Sequence, residues 1–167
     1  IGDADAVRLL LGKGADVNSA NNFGKTALMN AVEADSQETV VALLSRGADV
    51  NQVTSAGCTA LTFAAENGRS SLTAMLLERG ADMNARTRSG WNAFIISSRY
   101  GMTDIIKQLI FKGADLEATD NEGKTALMYA AENGHTDVVF MLTKAGVNLN
   151  ARNNNGETAL MIAVEKG

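Results

Sequence analysis

Residues 123–134 read Gly-Lys-Thr-Ala-Leu-Met-Tyr-Ala-Ala-Glu-Asn-Gly, and variants of this phrase recur along the whole chain. Its first glycine has counterparts at a spacing of 33 residues, at Gly24, Gly57, Gly90 and Gly156. A second marker, Gly-Ala-Asp, keeps the same spacing and begins at Gly14, Gly47, Gly80 and Gly113. An internal period of about 20 to 50 residues is typical of a stacked array. The sequence therefore predicts a solenoid whose repeats pack on their neighbours, rather than a domain with one central core.

The two markers divide the chain into four complete repeats flanked by two half-repeats. We expect one array over residues 1–167, with half-repeats at its ends and the first to fourth complete repeats between them. The predicted bounds are 1–20, 21–53, 54–86, 87–119, 120–152 and 153–167. The chain opens in mid-repeat and stops after one helix, so we expect it to be a segment of a longer protein. The wide drift between repeats favours a natural sequence over a consensus design.

Each complete repeat carries the signals of two short helices. A threonine follows the loop glycine by two residues, or an asparagine replaces it, and such side chains cap helix N-termini. These predicted caps are Thr26, Thr59, Asn92, Thr125 and Thr158. The second helix carries a leucine that recurs with the period and that we expect to be buried. These leucines are Leu43, Leu76, Leu109 and Leu142.

The composition is that of an ordered chain without a basic charge excess. The 167 residues are 46 % apolar and 20 % charged, and the formal net charge is −4. Proteins that neutralise phosphates carry a basic patch or stripe, so we expect no nucleic-acid partner. No apolar run approaches the roughly 18 residues that a spanning helix requires, so we expect no membrane insertion.

Histidine and cysteine are scarce, and the carboxylates, although plentiful, include aspartates that recur with the repeat. Cys58 is the only cysteine and His135 the only histidine, which is too few for a zinc site of the usual kind. The sequence therefore predicts no catalytic residue, no metal site and no cofactor. A single cysteine allows no intramolecular disulfide, which fits a reducing compartment and favours an intracellular, cytoplasmic location. We expect the chain to be monomeric.

These motifs resemble the ankyrin repeat over all 167 positions. The likeness rests on the Thr-x-Leu helix start, the Ala-Ala of the first helix, Asn-Gly-His at 133–135 and Gly-Ala-Asp-Val-Asn at 47–51. It implies an all-α solenoid in which each repeat has two antiparallel helices and an outward hairpin loop. The family's usual Thr-Pro-Leu-His reads Thr-Ala-Leu-Met at 26–29, 125–128 and 158–161. We expect the missing histidine to remove a side-chain hydrogen bond at the helix start.

The resemblance also implies a non-catalytic module that binds a protein partner. Ankyrin-like arrays usually hold partners at the hairpin tips and on the exposed, concave face of the first helices. Carried over position by position, this predicts partner contacts at Phe23, Lys25, Arg88, Trp91, Arg99, Tyr100, Asn121 and Lys124. The third repeat stands out because it holds the only tryptophan, one of two tyrosines and two arginines. These residue types are enriched in binding hot spots.

Three alternatives remain open. In the first, Trp91 is a packing residue that lies over the neighbouring hairpin. In the second, the chain is a passive scaffold or spacer segment of a larger enzyme or effector. In the third, it senses a nucleotide-type ligand: Trp91 stacks on the base, while Arg88, Arg99 and Lys124 hold the phosphates.

Overall fold

A computed structural model describes residues 4–166, and every helix or strand element in that range is an α-helix. The helices are α1 (Ala4–Gly12), α2 (Ala27–Glu33), α3 (Gln37–Ser45), α4 (Ala60–Glu66), α5 (Ser70–Glu78), α6 (Ala93–Arg99), α7 (Thr103–Phe111), α8 (Ala126–Glu132), α9 (Thr136–Ala145) and α10 (Ala159–Lys166). Isolated antiparallel bridges join Ala20 with Thr26 and Thr119 with Thr125. The predicted all-α fold is confirmed.

The helices of each complete repeat pack as a pair: α2 with α3, α4 with α5, α6 with α7, and α8 with α9. The chain forms two compact units, Ile1–Ala85, here called unit 1, and Arg86–Gly167, here called unit 2. In unit 1 the first helices α2 and α4 pack together, and α1 packs on α3. In unit 2 the first helix α8 packs against both α6 and α10. The fold is a solenoid of helical repeats, whereas a single array with four complete repeats stays a prediction.

The first helix of each repeat begins at a capping side chain, as predicted. The hydroxyls of Thr26, Thr59 and Thr125 accept the backbone N–H three residues later at 3.2 to 3.3 Å. Asn92 makes the same bond at 2.9 Å and Thr158 at 3.4 Å. Replacing such a cap by alanine typically costs about 1 kcal/mol, so these side chains help to fix where the helices begin.

The expected loss of a hydrogen bond at the helix start is wrong in the first and fourth repeats, whereas the Met161 sulfur accepts no such bond from Thr158 within residues 4–166. The Met29 sulfur accepts the backbone N–H of Thr26 at 3.5 Å, and Met128 does the same for Thr125. Each pair is therefore reciprocal and forms a capping box. Sulfur is a weak acceptor, but the long methionine side chain reaches back to the cap. The buried N–H keeps a partner without histidine.

Leucines of the second helices form part of the core. Leu43, Leu76, Leu109 and Leu142 are each no more than 1 % exposed, which confirms their predicted burial. Small side chains of the first helices, such as Ala64 and Ala130, are fully buried. A small side chain lets a neighbouring helix approach closely. The core of each repeat therefore combines large leucines on the second helix with small side chains on the first.

A hairpin loop precedes each first helix, and one side chain holds its turn. Asn21 Oδ1 accepts the backbone N–H groups of Phe23 and Lys25 at 2.9 and 3.0 Å. The equivalent residues also bond the N–H four positions later; they are Thr54, Thr87, Asp120 and Asn153. The residue just before the helix cap therefore occupies the same place in every repeat. In the third repeat that residue is Trp91.

Candidate partner-binding site

In the first repeat, an ion pair joins the residue just before the cap of the first helix to the last residue of that helix. Lys25 Nζ lies 2.6 Å from Glu33 Oε2. The fourth repeat keeps both residue types, and Lys124 Nζ lies 3.3 Å from Glu132 Oε2. In both repeats a basic side chain is thus balanced by a carboxylate of the same repeat.

The third repeat carries Trp91 and Arg99 at these two positions. The guanidinium carbon of Arg99 lies 5.0 Å from the centroid of the Trp91 ring, within the range of cation–π attraction. It also lies 5.3 Å from the ring of Tyr129 and 6.0 Å from that of Tyr100. Within residues 4–166, no hydrogen bond or ion pair engages this guanidinium. The Arg99 guanidinium therefore lies near three aromatic rings and has no carboxylate partner in that range. In the first and fourth repeats, by contrast, the lysine and the glutamate at these two positions pair with each other.

Trp91 is fixed by contacts to the fourth repeat. Its indole Nε1–H points at Asp120 Oδ2 and at the Tyr129 hydroxyl, each 3.1 Å away. The Trp91 and Tyr129 rings meet edge to face, with centroids 5.7 Å apart and planes at 78°. Such aromatic pairs add about 0.5 to 1.5 kcal/mol beyond the burial of their area. The ring on which Arg99 lies is therefore held in place.

Asp120 organises this cluster because its carboxylate uses both oxygens. Oδ1 accepts the backbone N–H groups of Glu122 and Lys124 at 2.9 and 2.8 Å, which holds the loop. Oδ2 accepts the Tyr129 hydroxyl at 2.5 Å and the Trp91 N–H. Asp120 is buried, and four donors offset the cost of placing its charge there.

Tyr129 is held in its neutral form. Burial is the main cause that raises the pKa of its hydroxyl well above the ordinary tyrosine value, and the hydrogen bond to Asp120 adds to it. A phenolate beside the Asp120 carboxylate would place two like charges in contact. The Tyr129 hydroxyl therefore remains a donor to Asp120 to a higher pH than an ordinary tyrosine would.

Loop tips of unit 2 contact one another next to this cluster. The side-chain amide of Asn121 donates to the backbone carbonyl of Arg88 at 2.7 Å, and the Asn121 backbone N–H donates to Ser89 at 3.1 Å. The side chains of Arg88 and Asn121 lie at the surface. The loop of the third repeat is thus tied to the loop that carries Asp120.

The structure brings most of the predicted contact residues together in unit 2. Those in unit 2 are Arg88, Trp91, Arg99, Tyr100, Asn121 and Lys124, and the Lys124 ammonium lies 5.4 Å from the Tyr129 ring centroid. Phe23 and Lys25 belong to unit 1. Phe23 is 71 % exposed at its loop tip, whereas Lys25 is paired with Glu33 and lies 4.9 Å from the Phe63 ring centroid. As partner contacts, all eight residues stay predictions.

Sequence reasoning missed the two residues that hold the cluster, Asp120 and Tyr129. Asp120 carries a charge where the other repeats have asparagine or threonine, and that difference is a signal. Tyr129 is the second of only two tyrosines, but its position reads as an ordinary helix residue. Only the fold shows that both meet Trp91 of the preceding repeat.

The contacts and the exposure of Trp91 bear on whether this side chain packs within the protein or binds a partner. Its contacts to Asp120, Tyr129 and Arg99 make it a packing residue of unit 2. It is nevertheless only half-buried, so part of the indole still faces the surrounding medium. Packing and partner contact are therefore compatible roles for this side chain.

The single histidine has a structural place. His135 Nε2 lies 2.8 Å from the backbone carbonyl oxygen of Arg99, so it links the fourth repeat to the end of α6. Cys58 is half-buried and forms no disulfide. Within residues 4–166, no group of three or more histidine, cysteine or acidic side chains is arranged to hold a metal ion.

An apolar pocket of about 430 Å³ lies elsewhere in unit 2, between α8, α9 and α10. Leu127, Val139, Leu149 and Leu160 contribute to its wall. No charged side chain lines it. It therefore offers a mainly apolar surface, whose polar side chains are Thr136 and Thr143.

The fold and its repeating loops define a helical repeat protein. A family model described as ankyrin repeats (3 copies) matches residues 1–87 and again residues 88–167. The chain therefore belongs to the ankyrin repeat family, as its motifs predicted. Ankyrin repeats are in general protein–protein interaction modules and are typically non-catalytic.

No match was found among the curated proteins. Across residues 4–166, no helix combines the length and apolar character needed to cross a membrane.

Proposed function

We propose that this chain is a non-catalytic protein-interaction module whose main contact surface is in unit 2. The surface comprises the loop tips and the first-helix face around Trp91, Arg99 and Tyr100, and Arg88, Asn121 and Lys124 extend it. The observation that carries the proposal is the exchange of a Lys–Glu ion pair for a Trp–Arg pair in the third repeat.

The packing of the repeats alone does not explain why tryptophan and arginine occupy these two positions. A Lys–Glu pair already serves these positions in the first and fourth repeats, so the fold does not require tryptophan or arginine. Tryptophan, tyrosine and arginine dominate binding hot spots because they combine large apolar area with polar groups. Tyr100 is 41 % exposed beside them, which adds aromatic surface to the same place.

The nucleotide-sensor alternative is less well supported. Arg99 already lies over the Trp91 ring, and Tyr129 packs against that ring edge to face. A base that stacks on Trp91 would have to share or displace these contacts.

The scaffold alternative predicts that the exposed side chains of the third repeat contribute nothing to binding. The experiment described next separates this alternative from the proposal.

The experiment is selection of binders from a displayed library of random peptides, with the purified chain as bait. Affinities of the enriched peptides are then measured for the wild-type chain and for a Trp91→Ala/Tyr100→Ala variant. The expected loss is about thirtyfold or more, because a hot-spot residue contributes about 2 kcal/mol or more. The result that contradicts the proposal is a library from which no peptide binds the chain, or binders that are indifferent to this variant.

The matched control is Phe111→Ala/Phe140→Ala, which also removes two aromatic rings. Phe111 and Phe140 are both exposed, and both lie on second helices, α7 and α9. This variant is expected to bind the selected peptides as the wild-type chain does. If the control loses affinity to the same extent, general apolar adhesion explains the binding and the proposed surface is wrong.

A further inference from the structure

We propose that Arg99 is the receptor for a carboxylate, so that the partner presents an aspartate or glutamate side chain to the third repeat. The inference rests on the proposed function and names the chemistry of its partner. It assigns Arg99 the central polar contact, with Trp91 and Tyr100 providing the apolar surface beside it.

The first argument is the reversal of charge at this position. The equivalent residues of the other repeats are acidic: Glu33, Glu66, Glu132 and Glu165. Two of these glutamates bind a lysine of their own repeat. Arg99 has the opposite charge, and the position that would provide its partner holds Trp91. The third repeat therefore lacks the internal counter-charge of the first and fourth repeats.

The second argument is that Arg99 is pre-organised. Its guanidinium carbon lies 5.0 to 6.0 Å from the centroids of three rings, Trp91, Tyr129 and Tyr100. Stacking engages the faces of a guanidinium and leaves its N–H donors at the edge for bidentate recognition of an anion. Because Trp91 and Tyr129 are themselves bonded to Asp120, less side-chain freedom is lost when a ligand binds.

The third argument concerns the neighbouring charges. Both oxygens of Asp120 are occupied by donors, so its carboxylate is committed to the loop and the rings. Lys124 is shared between Glu132 and Glu122, at 3.3 and 3.8 Å. Arg99 is thus a cation beside these rings that has no ion pair within the described residues, and the exposed Arg88 likewise has none.

These same charges favour a carboxylate over a phosphate. Three acidic side chains, Asp120, Glu122 and Glu132, lie around Lys124 and Tyr129. A phosphate group carries about −1.5 to −2 charges at neutral pH, so it meets more repulsion from them than a singly charged carboxylate does. The planar carboxylate also matches the planar guanidinium fork.

The test uses the peptides enriched on the wild-type chain. Each selected acidic residue is replaced by its amide in synthetic peptides, and affinity is measured for the wild-type chain and for Arg99→Gln. One Glu→Gln or Asp→Asn change and the Arg99→Gln change are each expected to weaken binding about tenfold. The two changes together are expected to weaken it no more than the larger single change, because they remove the same contact. The matched control Arg79→Gln removes an exposed arginine of unit 1 and is expected to leave affinity unchanged.

Two further measurements keep the outcomes separate. Arg99→Glu reverses the charge at this position, so the acidic peptides are expected no longer to bind, and a circular dichroism spectrum like that of wild type is expected to show that the variant remains folded. ATP and inorganic phosphate serve as direct probes and are expected to bind more weakly than the peptides. Enriched peptides without an essential acid, additive losses in the cycle, or tighter Arg99-dependent binding of ATP would each overturn the carboxylate assignment and leave the interaction surface intact. Failure to enrich any peptide counts against the proposed function itself.

Discussion

The first and third repeats build the same structure and use the same two positions differently. In the first repeat, Lys25 and Glu33 satisfy each other at 2.6 Å. In the third, the Arg99 guanidinium carbon lies 5.0 Å from the Trp91 ring centroid, and the guanidinium has no ion pair within the described residues. The comparison teaches that a repeat does not require the Lys–Glu pair at these two positions, and we propose that the third repeat uses them to bind a partner.

The first and third repeats also share a contact with an aromatic ring of the following repeat. Lys25 lies 4.9 Å from the ring of Phe63 in the second repeat, and Trp91 meets the ring of Tyr129 in the fourth. The residue before the helix cap therefore contacts an aromatic ring of the following repeat in both cases. A cation or an indole fills this place, which explains how the exchange was accommodated.

The largest expected effect concerns what the two repeats share. Leu43→Ala and Leu109→Ala remove equivalent buried leucines, and each is expected to lower the free energy of unfolding by about 2 to 5 kcal/mol. Urea denaturation followed by circular dichroism measures this. Phe111→Ala, at an 87 % exposed site, is the control and is expected to change stability by less than about 0.5 kcal/mol. Unchanged stability in either leucine variant breaks the equivalence of the repeats.

The second prediction separates the Trp91 contacts from the Lys25 contacts. Trp91→Ala is expected to destabilise the chain by about 1 to 3 kcal/mol, because it removes a ring contact and a donor to a buried carboxylate. Lys25→Ala is the matched change in the first repeat, and its half-exposed ion pair is expected to contribute less than about 1 kcal/mol. Equal thermal shifts in the two variants would show that the Trp91 contacts add no more stability than the Lys25 ion pair.

The third prediction tests Asp120 as the holder of the cluster. Asp120→Asn keeps the Oδ1 acceptor that holds the loop, as Asn21 and Asn153 show at equivalent positions. It replaces the Oδ2 acceptor of Trp91 and Tyr129 by an amide donor, and the expected cost is about 1 to 2 kcal/mol. Because Trp91 is the only tryptophan, intrinsic fluorescence reports its environment directly. An unchanged emission spectrum and unchanged stability would mean that the carboxylate does not position the indole.

The smallest predicted effect is a pH dependence that unit 2 derives from Tyr129. Its folded-state pKa is raised, chiefly by burial and then by Asp120, so the folded chain keeps a proton that an unfolded tyrosine releases above its ordinary pKa of about 10. The stabilising contribution is full below that pH and is lost as pH rises towards the folded-state pKa, by less than about 1.4 kcal/mol per pH unit. Urea titrations of wild type and Tyr129→Phe above pH 10 measure it. Parallel slopes for the two proteins would contradict the assignment.

The fold was predictable because its signals are local and repeated. The period, the caps such as Thr26 and the buried leucines such as Leu109 each state a short-range requirement, and the structure meets them. The methionine at the helix start was misread, since the backbone N–H of Thr26 finds the Met29 sulfur. A methionine sulfur is a weak hydrogen-bond acceptor, so its role as the partner of a helix cap is difficult to predict from sequence alone.

The site was predictable only in part. Trp91 and Arg99 were visible as departures from the period, and the structure places them in contact. Asp120 and Tyr129 were not recognised, because their role depends on contacts between successive repeats rather than on a motif. That Arg99 forms no ion pair within residues 4–166 likewise follows only from side-chain positions.

The most direct test converts the third repeat into the kind of pair found in the first. The double variant Trp91→Lys/Arg99→Glu places lysine and glutamate at the positions of Lys25 and Glu33. We expect it to remain folded, with cooperative unfolding and circular dichroism like wild type, and to lose affinity for the selected acidic peptides by about thirtyfold or more. A double variant that binds those peptides as tightly as wild type would contradict the central claim that the Trp–Arg exchange creates the binding surface.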